Sequence, residues 1–142
     1  MSGVVLVVHA FATLSMTGLI WFVQVVHYPL MGLVGALGYE EYQREHQRRT
    51  TWVVGPLMLA EALTAGVLVV WRGSVPEGGG WAGAGLLMVA WGSTFGVQVP
   101  LHERLARGFE AGVHRRLVRT NWVRTVAWSG RGVLALWMMT GG

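Results

Sequence analysis

The chain has 142 residues, of which 53% are hydrophobic and only 13% charged, against about 25% charged in soluble proteins; with a mean hydropathy of +0.46, this is the composition of an integral membrane protein of one domain. It contains no cysteine, which excludes disulfides, thiolate metal sites and cysteine nucleophiles. The formal net charge is +4 and the isoelectric point about 10.7, but the arginines flank apolar segments, where membrane topology accounts for them and nucleic-acid binding does not.

Four membrane-spanning helices are expected, over about 4–28, 40–71, 81–102 and 114–140. The first is a continuous apolar run through Val26, long enough to span a bilayer. No basic residue precedes it and no small-residue cleavage site follows, so it reads as a retained helix, closed or kinked at Pro29. A loose stretch over 32–38 leads into a polar segment with Tyr42, His46 and Arg49 on one face. This segment continues into the membrane past Pro56, a further expected kink, with Glu61 deep inside. The glycine-rich run over 73–80 reads as a loop. The third span ends in Gln98-Val-Pro-Leu-His102, and Glu103 to Arg119 reads as a basic loop or interfacial helix before the fourth. Gly18, Gly66, Gly83, Gly85, Gly92 and Gly96 are read as sites of close helix packing. Trp52, Trp71, Trp81 and Trp122 suit an aromatic belt.

Arginines 44, 48, 49, 104, 107, 115, 116 and 119 lie after the first and third spans, and Arg72 alone marks the other side. The positive-inside rule therefore makes both arginine-rich connections cytoplasmic and puts the N- and C-termini outside. No phosphate-binding glycine loop, zinc-protease pattern or serine-hydrolase elbow is present.

The last span carries Asn121, Arg124, Trp128 and Arg131 at i, i+3, i+7 and i+10, which is one stripe of a helix. Charge inside a membrane costs a few kcal/mol or more, so it faces a partner or a cavity. Partners are suggested by a repeat: Arg49-Thr-Thr-Trp-Val53 recurs as Arg119-Thr-Asn-Trp-Val123, 70 residues on, and Val23-Gln-Val25 as Val97-Gln-Val99, 74 residues on. Both point to a duplicated helical hairpin with a pseudo-two-fold along the membrane normal. The 70-residue offset maps Glu61 onto Arg131, a candidate buried charge pair at the axis. It serves either as glue or as part of a site.

The helix ends on the cytoplasmic side converge a polar layer: Gln24, His27, Tyr28, His46, Gln98, His102, Asn121 and Arg124. Within it, His27, His46 and His102 are candidate ligands for a metal or haem, or groups for proton transfer. The plainer reading makes these residues hydrogen-bonding partners of frayed helix ends. His9 and His114 read as ordinary.

The chain resembles the small four-helix bacterial membrane proteins that include the anthrone oxygenase-like family. Pro29-Leu30 after the first helix, the Pro-x-x-x-x-Leu element from Pro100 to Leu105, and Trp-x-Arg-Thr from Trp122 to Thr125 carry the resemblance. The asparagine pair typical of that family after the third-helix proline reads Leu101-His102 here. The resemblance implies the four-helix fold, a bacterial inner-membrane location and a small hydrophobic ligand reached from the membrane.

The functional expectation is a membrane-embedded oxidoreductase- or oxygenase-like site that binds metal, haem or a small hydrophobic ligand, with Arg124 and Asn121 orienting a polar group. The competing expectation is a non-catalytic accessory or assembly subunit of a larger membrane complex. A small transporter or channel would need homo-oligomerisation, because four helices enclose little space.

Overall fold

The computed structural model describes residues 2–71, 75, 76 and 78–141, and no strand occurs among them. α1 (Gly3–Met31), α2 (Tyr39–Val70) and α3 (Gly79–Leu105) have 29, 32 and 27 residues and are long and apolar enough to cross a membrane. α4 (Ala111–Met139) adds 29 residues. The helices run up and down: α1 packs against α2 and α4, α4 against α3, and α2 against α3 more loosely, with no backbone contact across either diagonal. The turns at 32–38 and 106–110 share one end of the bundle, here the turn end.

Several expected boundaries move. Arg72, Gly73, Ser74 and Glu77 lie outside the described residues, while Gly79 and Gly80, expected in the loop, already belong to α3. The basic stretch over 103–119 is no single loop or helix: α3 runs to Leu105 and α4 begins at Ala111. Pro29 does not close α1, and α3 passes Pro100 in the same way. A proline lacks the N–H that would bond four residues back, and its ring crowds that carbonyl. Both helices answer by widening the preceding turn into a π-turn, Val23–His27 in α1 and Thr94–Gln98 in α3. In each, the residue before the proline donates five residues back, Tyr28 N–H to the Val23 carbonyl and Val99 N–H to that of Thr94. α2 runs through Pro56 as one helix.

The bundle leaves many apolar side chains on its outer surface and buries a set of polar ones beside its apolar core. Phe11, Trp52, Leu63, Val70, Val126 and Val133 are among the apolar side chains left exposed, whereas Gln24, Glu61, Gln98, Asn121, Arg124 and Arg131 are buried. In lipid, burying an apolar side chain between helices gains little over leaving it in the bilayer, so close packing and hydrogen bonds hold the helices together. The glycines expected at close contacts mostly do not make them: nothing lies within 4 Å of a Cβ built at Gly18, Gly66, Gly85, Gly92 or Gly96. All five face outward, because the polar stripes claim the inner faces. The tightest approach is at Gly80, where an added Cβ would sit 2.8 Å from the Leu68 carbonyl oxygen, so α2 and α3 meet closely at the end away from the turns.

Glu61 and Arg131 meet across the α2–α4 diagonal. Arg131 Nε donates to Glu61 Oε1 at 3.2 Å, and the two side chains are 1% and 0% exposed. Trp128 Nε1 donates to the other carboxylate oxygen at 2.9 Å, and a terminal nitrogen of Arg131 donates to the Gly83 carbonyl of α3. Between α1 and α2, His9, 2% exposed, lies with Nδ1 2.8 Å from the Thr64 hydroxyl. This histidine, read as ordinary from sequence, is a buried tie between two helices.

Removing one member of a buried ion pair leaves the other uncompensated, at a cost on the order of 3 kcal/mol. Glu61→Gln is expected to lower the unfolding midpoint sharply, and Arg131→Met added to it should recover part of the loss. Denaturant unfolding of the wild type, both single variants and the double variant checks this, and additive effects would contradict the pairing.

Candidate functional site

Near the turn end the π-turns, α2 and the polar stripe of α4 surround a cavity of about 320 Å³. Tyr28, His46, Gln98, His102 and Arg124 line it, and its apolar walls include Leu19, Ile20, Val54, Met58, Phe95 and Val99. It opens sideways: Phe95 and Val99 are 59% and 38% exposed on the lipid-facing surface. The opening falls on the loosely packed α2–α3 side.

Five of the eight residues expected in the polar layer therefore line one cavity, and the other three stand behind or beside it. Gln24, turned inward by its π-turn, accepts from Asn121 Nδ2 at 2.9 Å and donates to the Val118 carbonyl at 3.2 Å. Asn121 Oδ1 in turn accepts from Arg124 at 3.1 Å. Gln24 and Asn121 thus position the arginine and leave the cavity surface to it. His27 lies outside the cavity, in a shallow groove between α1 and α2 shared with His46 and Arg49.

His102 anchors the other wall. Gln43 Nε2 donates to its Nδ1 at 2.6 Å, which leaves Nε2 protonated to face the Tyr28 hydroxyl at 2.8 Å. Tyr28 donates onward to Gln98 Oε1 at 3.3 Å, and Gln98 Nε2 donates to the Thr120 hydroxyl at 2.9 Å. Tyr28 crosses the α1–α3 diagonal, as Glu61 crosses the other. Its own carbonyl lies 2.7 Å from His114 Nε2, so His114 is a helix-end partner that the sequence did not single out. His46 Nδ1 lies 3.0 Å from His27 Nε2, with the rings stacked 4.4 Å apart, and 3.2 Å from the Thr50 hydroxyl.

Gln43 and Gln47 also belong to this wall, Gln47 by donating to the His102 carbonyl at 3.2 Å. Neither was among the expected site residues, although Gln43, His46, Gln47 and Thr50 fall at i, i+3, i+4 and i+7, the spacing of one helix face. The matched glutamines of α1 and α3 are not equivalent in place. The two π-turns and their prolines are 71 residues apart, so Gln24 is second in its π-turn and Gln98 last. His27 precedes its proline by two residues, whereas His102 follows its proline by two. One histidine therefore faces the outer groove and the other the interior.

The three histidines lie near one another, His27 hydrogen-bonded to His46 and the His46 and His102 rings 5.3 Å apart. Among the described residues no group of three His, Cys, Asp or Glu side chains is arranged to hold a metal ion. Both nitrogens of His102 are engaged, and His27 and His46 turn one nitrogen each toward the other. The three-histidine metal ligand set expected of His27, His46 and His102 is not assembled among the described residues.

Arg124 is the most exacting member. It is 7% exposed, its guanidinium carbon sits 5.3 Å from the centroid of the Trp128 ring, and its Nε has no partner among the described residues. Compared with protein-family models, curated proteins and solved structures, the chain matches none.

Tyr28→Phe leaves the protonated nitrogen of His102 and an oxygen of Gln98 unpaired in a buried place, at a cost of about 1–3 kcal/mol. The variant is expected to unfold at correspondingly lower denaturant than the wild type, and an unchanged midpoint would show that the hydroxyl joins nothing. Metal analysis is expected to give the same content for the wild type and for a His27→Ala/His102→Ala variant.

Proposed function

We propose that the protein is a four-span bundle whose cavity admits a small hydrophobic ligand from the bilayer and handles protons on it, as an oxidoreductase- or oxygenase-like enzyme does. The observation that carries this reading is the cavity itself: apolar walls, a lateral mouth, and Tyr28, His46, His102 and Arg124 together at one end. Binding sites combine such walls with a few convergent polar groups. Tyr28 and His102 already share a proton-bearing hydrogen bond, and His46 stands between the cavity and the outer groove that holds His27. That arrangement offers a path for a proton between ligand and membrane surface. The resemblance to anthrone oxygenase-like proteins supports the ligand class and the location in a bacterial inner membrane.

The fourth span in this reading is α4, whose charges at Arg124 and Arg131 turn inward while Trp122, Val126, Val133 and Leu136 face outward. The arginine-rich turn end lies in the cytoplasm, with both termini outside. The halves arose by duplication of a hairpin, a reading supported by Pro29 and Pro100, 71 apart, and Glu61 and Arg131, 70 apart. A second reading, an accessory subunit whose polar seam only joins helices, draws on the Gln24–Asn121 bond and the ties to Val118 and Arg124, which are complete without any ligand.

The lack of cysteine makes topology testable with single introduced thiols. Leu37→Cys, at a position 98% exposed, is expected to react with a membrane-impermeant maleimide only from the cytoplasmic side, and Thr140→Cys only from outside. The reverse pattern would invert the orientation. For the ligand site, a photoreactive decanol bearing a diazirine is expected to label peptides over 19–28, 46–58 and 94–102, with saturation. Labelling spread evenly over the outer helix faces would remove the enzyme reading and favour the accessory subunit.

A further inference from the structure

Among the described residues two guanidiniums, Arg124 and Arg131, are buried against one carboxylate, Glu61. That carboxylate is fully committed, one oxygen to Arg131 and the other to Trp128. Arg124 takes part in no ion pair among the described residues. Its environment offers an amide oxygen from Asn121, the nearby Tyr28 hydroxyl and the face of Trp128, while its Nε has no partner among the described residues. An ionised group more than nine-tenths buried in a membrane protein, without a counter-charge, is among the most costly arrangements a fold can hold. The same side chain lines the cavity that opens to lipid.

From this imbalance we infer that the ligand of the cavity carries an anionic oxygen head, and that Arg124 is its counter-ion. The inference rests on the reading of the cavity as a ligand site and narrows the class of ligand it takes. The neighbouring groups suit such a head. Tyr28, His46, Gln98 and His102 reach the cavity from its other sides, and none of them brings a carboxylate that would repel an anion. Gln24 and Asn121 hold the guanidinium from behind, so its orientation is set before anything binds. A guanidinium presents a planar fork that matches a carboxylate or phosphate oxygen pair. At about 320 Å³ the cavity lies at the small end of the roughly 300–1,000 Å³ range of ligand pockets. It therefore takes a head and a short length of chain, with any longer tail passing out between α2 and α3. The anion is either the carboxylate of a free acid or the phosphate of a lipid.

Competition against the photoreactive decanol separates these ideas. Decanoate, decyl phosphate and decan-1-ol are titrated against labelling of the cavity peptides in detergent-purified protein. In the wild type at least one of the two anions is expected to compete at roughly ten- to a hundred-fold lower concentration than the alcohol, the factor a charge-assisted hydrogen bond contributes. The stronger of the two identifies the source of the head. The advantage is expected to vanish in Arg124→Gln and to survive in reduced form in Arg124→Lys, which keeps the charge but not the fork. Should Arg124→Gln fail to fold, the comparison of wild type with Arg124→Lys still decides, because an undiminished preference in the lysine variant would deny the fork its role. Equal competition by alcohol and anions in the wild type, with cavity labelling intact, would overturn the anionic head while leaving the ligand site standing. Absence of cavity labelling altogether would remove the site and this inference together.

Discussion

The bundle depends on one buried constellation, Glu61 held by Arg131 and Trp128. Lipid gives apolar side chains little reason to prefer a neighbouring helix, so the specificity of assembly rests on polar groups that have nowhere else to go. Glu61 comes from α2, its two donors from α4, and Arg131 reaches α3 through the Gly83 carbonyl. Three helices are thereby tied at one depth by a single network. A buried pair of this kind adds little net stability compared with an apolar core, but it penalises every arrangement in which the charges separate.

Trp128 links that network to the cavity. Its indole N–H is committed to Glu61 while its ring lies beside the Arg124 guanidinium. The stripe of α4 therefore carries two arginines in different circumstances, one neutralised and one facing open space. The Gly80–Leu68 approach closes the far end of the α2–α3 seam, and the Gln43–His102 and Gln47–His102 bonds close the turn end. The gap between is where the bundle meets lipid, and the π-turns bring inward-facing glutamines to that level.

Much of this was legible beforehand. The apolar runs and the inward stripe Asn121–Arg124–Trp128–Arg131 follow from periodicity and from the cost of charge in lipid, and the pairing of Glu61 with Arg131 from the 70-residue offset between matched segments. Gln43 and Gln47 were legible but unread, since polar residues on the first turns of a membrane helix look like solvated surface. The glycines misled, because a small residue is equally at home between helices and against lipid. Pro29 left two outcomes open, a stop or a kink, because a missing N–H suits either; a π-turn precedes it and the helix continues.

The chain by itself determined its class, the existence of its long helices and which faces must turn inward, because hydropathy and helical spacing are local properties paid for residue by residue. Only the tertiary structure decided what those inward groups meet. The three histidines fall into two separate hydrogen-bonded sets, His27 with His46, and His102 with Gln43 and Tyr28. Arg124 became a cation facing a cavity because Glu61, the one buried carboxylate among the described residues, was already taken by Arg131 and Trp128. Such assignments depend on distances between helices far apart in sequence, which no local pattern contains.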